Sequence, residues 1–86
     1  MSFTPRPRQA VLSNVNFSRA IFSAALIESS QFDGSDLTGA RFRGAQITKT
    51  SLLRADCAGA SFVDAVGTEN KMSSSCAWEF NMAYTG

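Results

Sequence analysis

The chain has 86 residues, 44% hydrophobic and 17% charged, with 8 basic and 7 acidic side chains, a net charge of +1 and no His. This length admits one domain, and its core is marginal because so short a chain buries only about 60% of the surface its unfolded form exposes. The near-neutral charge speaks against neutralising a nucleic acid backbone and against an acidic surface imitating one, and the lack of His removes the commonest general base and metal ligand.

Two Cys without any His cannot complete a tetrahedral zinc site, so neither metal nor cofactor is expected. No apolar run approaches the ~20 residues needed to cross a bilayer. The opening Met1–Arg8 lacks the apolar stretch of a secretory signal. Pro5 and Pro7 fix φ and withhold N–H groups, so residues 1–9 read as an extended arm. Arg6, Arg8 and Arg19 precede any acidic residue, which leaves a loose arm or an anionic docking partner as the two readings.

From Leu12 onward, steps of five meet Phe17, Phe22, Ile27, Phe32, Leu37, Phe42, Ile47, Leu52, Cys57 and Phe62, then Gly67 and Met72. Two residues before each large position stands a smaller one, in a column running from Ala10 and Val15 through Ser30, Ser35 and Thr50 to Ala65. A helix would smear a period of five around its cylinder, and a straight strand would flip successive markers between faces. Both objections vanish if the chain turns a corner in every repeat. Small and large residues then point inward from one short extended segment. Gly34, Gly39, Gly44 and Gly59 fall at the bend, where Gly is favoured.

Ser35-Asp36-Leu37-Thr38-Gly39 and Ala40-Arg41-Phe42-Arg43-Gly44 resemble the pentapeptide-repeat family, whose motif is a small residue, a polar one, Leu or Phe, and two polar ones. The resemblance covers residues 10–66. It implies an all-β fold, a right-handed four-sided parallel β-helix, here of about three coils over residues 10–72. Four repeats per coil would stack residues twenty apart. The expected core is Phe17, Phe22, Ile27, Phe32, Leu37, Phe42, Ile47, Leu52 and Phe62, and the column of Ile27 and Ile47 runs out at Gly67.

One outward face carries Arg41 and Arg43 between Ile21, Ser23, Ser61 and Val63. Solvated side chains and contacts to a partner's acidic groups are both open there. The opposite face stacks Asp36 on Asp56, for recognition or simply solvated by neighbouring Ser and Thr. Outward Val11, Ile21 and Leu26 in the first coil, with Leu53, Val63 and Val66 in the last, suggest surfaces covered by terminal segments or by another chain.

Residues 73–86 form a cap or a partner-docking tail. Trp78, Phe80, Met82 and Tyr84 alternate strictly, a one-sided strand pattern, and a short terminal helix is also open, although no capping box supports it. Cys57 sits at an inward position and Cys76 just past the coil. A bridge would staple the tail but needs an oxidising compartment, and two free thiols are the expectation.

Catalysis has no candidate residues, because Ser and Asp fall where the repeat already explains them and no nucleophile has a base. The reading is a non-catalytic interaction module, a small accessory subunit that stabilises a larger complex. The resemblance extends this to photosynthetic assemblies and the thylakoid lumen, with a cytoplasmic site also open. Partner-facing candidates are Arg41, Arg43, Ile21, Val63, Trp78, Phe80, Met82 and Tyr84. The partner is a protein, free to be membrane-embedded, with no direct nucleic acid contact. The resemblance also offers an alternative, a DNA-mimicking gyrase-binding protein conferring inhibitor or toxin resistance, although such relatives are long, acidic dimers.

Overall fold

The structure, a computed structural model, describes residues 9–85, with side chains through Met82. Apart from Gln9, the arm expected over residues 1–9 lies outside the described residues.

Among the described residues, five short strands precede one helix. They are β1 (Leu26–Glu28), β2 (Gln46–Thr48), β3 (Ser51–Leu52), β4 (Val66–Thr68) and β5 (Lys71–Met72), followed by α1 (Ser74–Thr85). Every pairing is parallel and offset by twenty residues. Leu26 faces Gln46 and Gln46 faces Val66 in one sheet, while Ser51 faces Lys71 in the other. Isolated bridges such as Val11 with Gln31, Asp36 with Asp56, and Arg41 with Ser61 repeat the same offset. The chain therefore returns beside itself every twenty residues, in the same direction, once per four repeats.

A corner every five residues makes this possible. Positive φ, from 50° to 72°, recurs at nine non-glycine residues and at Gly34, Gly39, Gly44 and Gly59. The left-handed conformation costs an L-residue roughly 1–2 kcal/mol, and at six of the nine, Gln9, Asn14, Arg19, Ala24, Ser29 and Lys49, a hydrogen bond from the corner N–H to the next pass helps to hold it. At Asn14 and Ala24, for example, the corner N–H donates to the carbonyls of Asp33 and Arg43, at 3.0 and 2.8 Å.

Inside, Phe17, Phe22, Ile27, Phe32, Leu37, Phe42, Ile47, Leu52 and Phe62 are all buried. Phe22, Phe42 and Phe62 stack face to face, with centroids 4.7 and 4.8 Å apart and planes within 4° of parallel. The small column brings its own polar ladder. Buried Ser30 and Thr50 and half-buried Asn70 each accept the N–H of the residue twenty before, namely Ala10, Ser30 and Thr50. Ser35 Oγ accepts the Val15 N–H and donates to the Leu12 carbonyl at 2.6 Å. Among the described residues, no buried side-chain nitrogen or oxygen lacks a partner.

Two expectations need correction. The tail is a helix, so the chain is not wholly β. Ser73 caps it as a single N-cap without the reciprocal Glu or Gln, its Oγ accepting the Cys76 N–H at 3.3 Å. The thiols are not free: Cys57 and Cys76 form a disulfide with Cα atoms 4.7 Å apart, and both residues are buried.

Candidate interaction surface

Two residues advance 200° around a helix, so alternation that would share one side of a strand is split between opposite sides of α1. Phe80 turns inward and packs on Phe62, with centroids 5.3 Å apart. It fills the space that Gly67 leaves, since a Cβ on Gly67 would stand 2.9 Å from the Phe80 ring. The expected partner contact at Phe80 is thus taken up largely by the protein's own core. Trp78 and Met82, one turn apart, face out and remain 65% and 45% exposed. The side chain of Tyr84 lies outside the described residues.

The closing end is tied by polar groups as well. Ser73 Oγ donates to the Ala55 carbonyl at 2.6 Å, and Ser75 Oγ accepts the Cys57 N–H at 3.1 Å. Asn70 Nδ2 donates to the Ile47 carbonyl at 2.8 Å. Asn70 thus serves both the twenty-residue ladder and the closing end.

Arg41 and Arg43 project from one face and are exposed. Neither pairs with a carboxylate among the described residues. Arg41 bridges Ile21 on one side and Ser61 on the other, so Ile21 flanks it directly, and exposed Val63 lies two residues beyond Ser61. Val11, Leu53 and Val66 are exposed as well, whereas Leu26 is half-buried.

The acidic ladder has a local task. Oδ1 of Asn16, Asp36 and Asp56 accepts the N–H of Ser18, Thr38 and Ala58 respectively, at 2.9 to 3.0 Å, so each side chain secures its own turn. Hydrogen bonds from the Thr38 side chain and then its backbone hold the Asp36 carboxyl below its ordinary range. Among the described residues no group of three or more Cys, Asp or Glu is arranged to hold a metal. No described helix is long and apolar enough to cross a membrane.

Pentapeptide repeats match residues 8–39 and 22–54, in eight copies. The chain belongs to the pentapeptide-repeat family. Members are generally structural, interaction-mediating modules, and the family implies a right-handed β-helix, in keeping with the parallel pairing. Among solved structures, a pentapeptide repeat protein from the Arabidopsis thaliana thylakoid lumen is similar, at 28% identity with a TM-score of 0.77. The similarity covers 80% of this chain and 48% of that one, so the chain spans about half the length of this relative. No curated protein matches.

Proposed function

We propose that this chain is a non-catalytic interaction module, a right-handed four-sided β-helix of about three coils that docks as a small accessory subunit on a larger protein assembly. Residues 10–72 supply the rigid coil and residues 73–86 its closing and docking element. The observation that carries this reading is the outer face of α1. The chain's only Trp is 65% exposed beside Met82, although the same helix brings Phe80 inward. Trp and Met are enriched at protein interfaces, and Trp is among the residues that dominate their energetics. Arg41 and Arg43, flanked by Ile21 and Val63, add a second contact face suited to a partner's carboxylates.

The thylakoid-lumen origin of the similar structure supports a photosynthetic assembly as the partner. The disulfide independently favours an oxidising compartment over a reducing cytosol. The topoisomerase reading draws nothing beyond the shared fold, and its requirement for an acidic surface is at odds with a net charge of +1.

Mass spectrometry of native complexes retained by the tagged chain tests the proposal. A defined larger assembly is expected, weakened by Arg41→Glu with Arg43→Glu. Recovery of the free chain alone would reject it.

A further inference from the structure

The Cys57–Cys76 bridge ties α1 to the coil at one point. Cys57 occupies the inward position held by Phe17 and Leu37 in the two preceding passes, so this column gives up a large apolar side chain where the helix is attached. The helix also meets the coil through Phe80, which packs on Phe62 and against Gly67, and at its N-terminal end through the hydroxyls of Ser73 and Ser75 on the backbone of Ala55 and Cys57. The helix has 12 residues, no acidic residue in its first turn and no basic residue in its last. Such a segment is marginal once detached, because isolated helices shorter than about 12–15 residues barely form in water. The coil does not depend on the bridge in the same way. Its stacked Phe column and its twenty-residue ladder of hydrogen bonds run through the first two passes without touching α1.

We infer that the Cys57–Cys76 bridge is a redox latch: oxidised, it holds α1 as a cap on the last pass, and a dithiol reductant releases the helix as an arm. Release uncovers Phe62 and frees Phe80 to join Trp78 and Met82 on one mobile apolar segment. Closing the coil and standing free as an arm are then two redox states of one element, whose Trp78 is exposed already in the closed one. Both sulfurs are buried, so reduction proceeds through transient lifting of α1. A thiolate of the reductant attacks Sγ of Cys76, the S–S bond breaks, and Cys57 leaves as a thiolate that takes a proton from water. The reductant's second thiol then displaces Cys76. The protein gains two electrons and two protons, and the reductant departs as its own disulfide.

The test is hydrogen exchange on the oxidised, folded full chain before and after dithiothreitol, with free thiols counted by alkylation and mass. Amides of residues 77–82 should lose roughly a hundredfold in protection on reduction, those of residues 32–47 should keep theirs, and reoxidation should restore the helix. Cys76→Ser should exchange like the reduced protein without any reductant. If that variant fails to fold, the wild type in its two redox states carries the comparison. Unchanged protection of α1 with both thiols free would overturn the latch. So would loss of protection in the coil together with the helix, because the bridge would then be a global staple. A bridge that resists the reductant under native conditions would also overturn it.

Discussion

Two inward columns begin alike and end differently. Phe22, Phe42 and Phe62 continue through every pass, each ring lying flat on the last. Ile27 and Ile47 lead instead to Gly67, and Phe80 enters from the helix to occupy the space. The first column shows how the coil grows: identical geometry recurs every twenty residues, so each repeat needs only its neighbours. The second shows how it stops. A growing edge must be closed by something that is not another repeat, and the chain makes room for that element by omitting a side chain.

The largest expected effect comes from breaking the continuous column at its middle. Phe42→Ala removes a ring sandwiched between two others and should cost about 3–5 kcal/mol, read from the shift of the urea unfolding midpoint. A β-type circular dichroism spectrum should persist in the wild type under the same conditions. The interrupted column makes the opposite kind of prediction. Gly67→Ile would complete the Ile27–Ile47 series and improve the repeat on paper. Its side chain would collide with Phe80, so stability should fall by about 1–3 kcal/mol and α1 should detach. Increased stability would show that Phe80 is dispensable.

Smaller changes probe the corners. Ala24 has φ near 60° with only a methyl side chain, so Ala24→Gly should raise stability by about 0.5–1 kcal/mol in thermal melts. The turn at Asp36 should show in the pH dependence. Its folded carboxyl titrates below the unfolded one, so its contribution is present above the ordinary aspartate range and disappears as pH falls through the lowered folded value. Asp36→Asn should remove that part of the acid destabilisation, and an unchanged slope would contradict the assignment.

Much of this was legible in the sequence because repetition averages out local ambiguity. The period of five named the inward residues, and the resemblance to the pentapeptide-repeat family implied four sides and with them the twenty-residue offset. The tail offered no repetition. Trp78, Phe80, Met82 and Tyr84 satisfy a strand's alternation, yet residues four apart also share a helix face, so the same letters fit both periods. Ser73 acts as a cap without the Glu or Gln that makes such a site conspicuous. A Cys57–Cys76 bridge was open in the sequence beside two free thiols, and only the fold, which sets the two Cα atoms 4.7 Å apart, decides for the bridge. In the columns, Gly67 marked the end correctly, but only the arrival of Phe80 explains why the residue is glycine.

The functional account rests on the two sides of α1 having different tasks. Trp78→Ala alters the exposed side and should leave the unfolding midpoint nearly unchanged. The decisive measurement is the size of the native complex containing the tagged chain, wild type against Trp78→Ala, in the same extract. The account predicts a large assembly for the wild type and a shift toward free chain for the variant. Identical elution of both at the size of the assembly, or of both as free chain, would contradict it.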